Sequence, residues 1–122
     1  MPLTRAVPAL LALLAMAQAS SAHADAGEAL FKRHCAVCHS SKPGEIRAGP
    51  SLYRIIGRKV GSTPAFPYSA AMKSSGATWT AATLDGFIAA PRKAVPKTNM
   101  AFPGLADPAQ RAALVAYLAK LK

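Results

Sequence analysis

Both cysteines of the chain sit in one short stretch, Phe31 to Ser41, FKRHCAVCHSS, with two residues between them and a histidine directly behind the second. Two thiols and an imidazole at that spacing could form a redox dithiol, part of a zinc site, or an anchor for a covalently held group. Zinc needs four ligands, or three and a water. His23 lies in a segment that reads as removable, which leaves His34 and His39 beside Cys35 and Cys38. These histidines flank the cysteines too tightly to complete a tetrahedron comfortably. A thioredoxin-like dithiol opens a helix that follows a strand in a βαβ unit, whereas the residues before Cys35, DAGEALFKRH, read as helix. A disulfide across so few residues would close a very small loop and add little stability.

What remains is covalent haem attachment. Thiolates at this spacing on one helical turn reach two vinyl groups, and the next residue turns its imidazole onto the iron from the same side. Cys35 and Cys38 are therefore expected to be tethers, and His39 the proximal ligand. The chemistry of such an iron depends on its sixth position. Left open, it binds gases or peroxide; closed by a thioether, it favours ferrous iron, has a raised potential and is left with electron transfer. Beyond the removable segment the chain has Met72 and Met100. Met72 lies in YSAAMKSSG, a short helix-like piece ended by Gly76. Met100 lies in PRKAVPKTNMAFPG, where Pro91, Pro96 and Pro103 interrupt any regular element and predict an extended loop. Such a loop can cross the far face of a flat group and aim one side chain at its centre. Met100 is the expected axial ligand, with Met72 or an open site as the alternatives.

Few elements are needed to position these groups. Arg5, the apolar run AVPALLALLAMAQA and the A-x-A signature of Ala22, His23 and Ala24 read as a secretory signal peptide over residues 1–24. An uncleaved N-terminal anchor is the alternative, but the run is short of the roughly 20 residues a bilayer span needs and contains Pro8. Export suits haem attachment, which takes place outside the reducing cytosol. Residues 25–122 fit one small domain, heavily punctuated by proline and glycine. So short and loop-rich a chain buries little apolar surface unless something else fills its middle.

Three main helices are predicted around the haem, which makes the fold class all-α. Asp25 with Glu28 resembles a capping box for the first, which carries Leu30 and Phe31 up to the cysteine motif. The second starts at Thr80 as N-cap, sets Leu84, Phe87 and Ile88 on one face and stops near Pro91. A third opens with Asp107 as cap and Pro108 in the first turn, then repeats Leu114, Tyr117, Leu118 and Leu121 at helical spacing. Its narrow stripe should pack on the first helix. The formal charge is +10, or +9 once Arg5 is removed, which favours anionic partners. Export, and the lack of a recognition motif or a regular basic stripe with aromatics, argue against nucleic acid.

Over essentially all of residues 25–122 the chain resembles class I cytochrome c. The resemblance implies that fold, with short helical turns and loops wrapped around one covalent haem c. Gly27 and Phe31 look like the small residue and aromatic where the first helix meets the last, matched by LVAYL at residues 114–118. AGPSL resembles the loop whose proline carbonyl, here Pro50, accepts a hydrogen bond from the proximal imidazole, fixing its tautomer and raising its basicity. GRKVG is similar to the basic turn whose arginine, here Arg58, lies near a haem propionate. FPYS and TW put Tyr68 and Trp79 at positions resembling the propionate hydrogen-bond donors. PRKAVPKTNMAFPG looks like the distal loop, with axial Met100, propionate-side Thr98 and Phe102 beside the haem. Buried carboxylates need such partners. Phe87 and Met72 depart from mitochondrial-type members, standing where a tyrosine and an asparagine would be.

The function this implies is not catalysis but one-electron shuttling outside the cytosol, in the periplasm of a bacterium, by a monomeric, soluble carrier. Electrons would cross at an exposed haem edge ringed by Arg92 and Lys93, with Lys32, Lys42 and Lys97 as further basic residues. Partners with acidic docking patches would form fast, short-lived complexes: a terminal oxidase, a cytochrome bc1-type complex or a periplasmic dehydrogenase. The rival function is a haem protein with a labile sixth ligand, in gas or peroxide chemistry. A peroxidase would want a distal His or Arg over the open site. A weaker third reading is an acceptor dedicated to one dehydrogenase.

Overall fold

The computed structural model describes residues 16, 18, 23 and 25–122, so the segment expected to be a signal peptide lies almost wholly outside the described residues. Five helical segments follow one another in the described chain: α1 over residues 25–34, α2 (Ala70–Lys73), α3 (Ala81–Ala89), α4 (Pro91–Ala94) and α5 (Pro108–Ala119). Loops connect them, and among the described residues the backbone makes one isolated antiparallel bridge, Lys59 with Thr78. Among the described residues no helix is long and apolar enough to cross a membrane.

Local chemistry explains where the helices start. Thr80 has an extended backbone and its Oγ1 accepts from the Thr83 N–H at 3.1 Å, while Thr83 Oγ1 accepts from the Thr80 N–H at 2.7 Å. This is a capping box with threonine in place of the usual Glu or Gln. Asp107 Oδ1 accepts from Ala109 and Gln110 at 2.9 and 3.2 Å, and Pro108 occupies the first turn of α5. Asp25 plays no such part: it and residue 23 are already helical, and an N-cap needs a non-helical backbone.

Pro91 departs from the extended-loop expectation too. Its ring disfavours helical backbone at Ala90, which turns to φ −157° and ends α3. Its own fixed φ suits a first helical position, so it opens α4 at once. The irregular stretch is therefore confined to residues 95–107.

α1 crosses α5 at close range. A Cβ on Gly27 would lie 2.1 Å from the Ala113 carbonyl oxygen and 2.7 Å from Tyr117 Cβ, so only glycine fits there. One turn along, the Phe31 and Tyr117 rings meet at 5.4 Å. α3 packs against α5 and α4, and Arg111 Nε donates to Asp85 at 2.9 Å across the first pair. Leu84, Phe87 and Ile88 are all buried, as are Leu114 and Leu118; Tyr117 and Leu121 are half-buried. Ile55, Val60, Met72 and Trp79 complete the core from the loops and α2. Each fully buried side chain of this size contributes about 1.5–3 kcal/mol.

Candidate functional site

The end of α1 delivers the cysteine motif as a tight turn. Cys35 and Ala36 donate to the Phe31 carbonyl at 2.8 and 2.9 Å, and Cys38 and His39 both donate to the Cys35 carbonyl at 3.0 and 2.8 Å. Gly49 then donates to the Cys38 carbonyl at 2.8 Å, which folds the following loop back over the turn. That fold brings the Pro50 carbonyl 2.7 Å from His39 Nδ1. A carbonyl only accepts, so Nδ1 carries the proton and Nε2 keeps its lone pair, the form of imidazole that binds a metal. Burial pulls the His39 pKa below its ordinary value, which also holds the ring neutral.

No disulfide joins Cys35 and Cys38, so both sulfurs are available to a covalent partner. Cys35 packs against the hydrophobic core, whereas Cys38 is exposed and Val37 between them is 79% exposed. Burial, with Cys38 as a second cause, pushes the Cys35 thiol up to about 11. Redox dithiols work through a depressed thiol, so this pair is badly placed for disulfide exchange.

The remaining expected site residues fall into two groups. Arg58 is half-buried; its Nη1 donates to the Ser51 carbonyl at 2.7 Å and to Thr63 Oγ1 at 3.4 Å, and its Nη2 donates to the Tyr53 carbonyl. Thr63 N–H in turn donates to the Tyr68 hydroxyl at 3.1 Å, which leaves the phenolic proton to be given elsewhere. Arg58 and Tyr68 are thus brought together through Thr63, and burial lowers the Arg58 pKa. Trp79 is buried with its ring 5.1 Å from Phe87.

The second group belongs to the loop after α4. Thr98 is buried and its Oγ1 accepts from the Met100 N–H at 3.4 Å, so its own proton too remains to be donated. Lys97, just before it, takes φ 65°, a left-handed conformation unusual for a lysine. Asn99 donates to the Pro67 carbonyl at 3.3 Å, tying the loop to the segment that carries Tyr68. Met100 and Phe102 pack against the same core cluster as Cys35 and Tyr68, and Phe102 lies 6.0 Å from the half-buried His34 ring. Met72 is a buried core residue on α2.

The donor set suits a haem: a neutral imidazole with a free Nε2, a thioether, two thiols, an apolar wall, and hydroxyl and guanidinium groups able to donate to carboxylates. Four residues of this region carried no signal in the sequence. Ser40, Glu45, Arg47 and Ser51 knit the loop between His39 and Pro50 together, and only the burial of the two serines and the partners of all four in the fold reveal them.

The family model for cytochrome c matches residues 24–122. The chain belongs to the cytochrome c family. Its helical architecture is that of the class I members. Cytochrome c2 of Rhodopila globiformis is 44% identical over 96 residues, 79% of this chain and 91% of that protein. Cytochrome c2 of Rhodoblastus acidophilus is 46% identical over 99 residues, 80% of this chain and 92% of that one. Among solved structures, cytochrome cH from Methylobacterium extorquens matches with a TM-score of 0.73 at 40% identity, over 78% of this chain and 95% of its own. This cytochrome is accordingly an electron-transfer protein rather than an enzyme. It carries one covalent haem c, and residues 35–39 are its CxxCH motif.

Proposed function

We propose that this cytochrome is a diffusible one-electron carrier whose iron is held between His39 and Met100, working outside the cytosol after cleavage behind Ala24, in the periplasm if the source is bacterial. The single observation that carries the ligand assignment on the proximal side is the 2.7 Å bond from His39 Nδ1 to the Pro50 carbonyl, which leaves Nε2 free. On the distal side, support comes from Met100 packing on the same cluster as Cys35 in a loop held at Thr98 and Asn99. When bound, the haem supplies one reversible electron change between ferric and ferrous iron.

The protein's own groups do the rest. Cys35 and Cys38 hold the haem by thioethers, and Phe102 and the core exclude water. Arg58, Tyr68, Trp79 and Thr98 donate to the propionates, which a buried site must satisfy. The exposure of Val37 and Cys38 supports an edge open to partners.

Lys32, Lys42, Arg92, Lys93 and Lys97 are all exposed. Of the acids, Glu28 is paired with Lys32 itself, Glu45 with Arg47 and Asp85 with Arg111, and Asp107 is spent on the α5 cap, which leaves Lys42, Arg92, Lys93 and Lys97 outside these pairs. The basic surface is therefore poorly compensated, which steers acidic redox partners toward it: an oxidase, a bc1-type complex or a periplasmic dehydrogenase. Carbon monoxide tests the closed site. The reduced holoprotein is expected to keep its spectrum under the gas at neutral pH. Ready uptake would promote gas or peroxide chemistry over electron carriage.

A further inference from the structure

Three hydroxyl side chains are buried among the described residues: Ser40, Ser51 and Thr98. Thr98 belongs to the Met100 loop. The two serines help knit the loop between His39 and Pro50, and each directly follows one partner of the His39–Pro50 hydrogen bond. Ser40 Oγ donates to the Glu45 carboxylate and accepts from the Lys42 N–H at 3.0 Å. Ser51 Oγ donates to the Lys42 carbonyl and accepts from the Tyr53 N–H at 3.1 Å. Both serines therefore grip the same segment, residues 42–45, from opposite ends of the loop.

Further bonds complete the frame. Leu52 donates to the Ser40 carbonyl at 2.9 Å, Arg47 Nη1 donates to the Ala36 carbonyl at 3.1 Å, and Arg47 Nη2 lies 3.6 Å from Glu45 Oε2. The Ser40 hydroxyl, ahead of the nearby bases, holds the Glu45 carboxyl below its ordinary pKa. Apolar packing does little of this work, since Ile46, the large hydrophobic side chain of the loop, is 42% exposed. The position of the Pro50 carbonyl thus rests on polar bonds.

We infer that Ser40 and Ser51, with Glu45, are positioning residues: a strap that sets how firmly Pro50 holds the His39 ring, and through that bond the potential of the haem. The inference rests on His39 being the proximal ligand. An imidazole whose Nδ1 proton is held is a more basic ligand and favours ferric iron. Loosening the strap should therefore favour ferrous iron and raise the potential.

The test uses the holoprotein and the substitutions Ser40→Ala and Ser51→Ala, neither of which changes charge. Each is expected to shift the ferric/ferrous equilibrium roughly threefold to tenfold toward ferrous, up to about 59 mV for one electron. Solvent exchange of the haem-shifted His39 Nδ1 proton, read by NMR, should quicken in step. Where an alanine variant yields no holoprotein, Glu45→Gln at the exposed end of the strap gives the same exchange readout without opening the core. A ferric/ferrous equilibrium shifted less than about threefold and unchanged exchange, even with a lowered melting temperature, would make the serines merely structural and overturn the inference. The absence of any haem-shifted His39 Nδ1 proton in the unsubstituted protein would instead remove the ligand assignment beneath it.

Discussion

At Gly49 the backbone passes so close to the His39 ring that a Cβ would stand 2.3 Å from Cε1 and 2.6 Å from Nδ1. Gly49→Ala must push either the ring or the Pro50 carbonyl aside. Since supporting contacts of this kind are worth roughly 10- to 100-fold in affinity or activity, the variant should carry a small fraction of normal haem, read as haem absorbance per mole of protein. Full loading with an unaltered spectrum would mean that the loop yields and the ring does not depend on it. Cys35, Cys38 and His39 were legible in the sequence because haem attachment demands their types and spacing together. Ser40, Ser51 and Glu45 were not. A serine beside a histidine or a proline is common, and what distinguishes these two, burial against one shared segment, exists only once the loop has closed.

Among the elements, α3 and α5 were legible from their ends, since the caps at Thr80 and Asp107 are decided within a few residues. α4 was missed because proline was read as a stop when it also starts helices. The anchoring of the distal loop was likewise invisible, as it comes from a residue on α5. Arg111 Nε donates to Asp85 on α3, and its Nη1 donates to the Leu105 and Ala106 carbonyls at 2.9 and 2.8 Å. Magnitudes separate the two roles. Asp85 is 46% exposed, so Asp85→Asn should cost at most about 1 kcal/mol. Arg111→Ala also strips the exposed Ala106 carbonyl and the part-buried Leu105 carbonyl of their donor, and loss of the second should cost about 1–3 kcal/mol more. Denaturant unfolding of the holoproteins measures both; equal costs would show that the ion pair alone does the anchoring.

For the whole molecule, 15 Lys and Arg against five Asp and Glu give a field that composition alone discloses. Its consequence is kinetic. Oxidation of the reduced protein by ferricyanide, a small polyanion, should slow roughly tenfold between low and physiological ionic strength, as the screening length falls from about 30 to about 8 Å. Oxidation by a cationic reagent should change little or quicken. The same salt response for both reagents would mean that the charge does not bear on the electron-transfer surface. The most direct measurement is the far-red sulfur-to-iron band of the oxidised protein, recorded beside Met100→Ala. A band present in the first and lost in the second is expected if His39 and Met100 close the iron. A missing band in the unsubstituted protein, or one that survives the substitution, would contradict that ligand pair and reopen the sixth position.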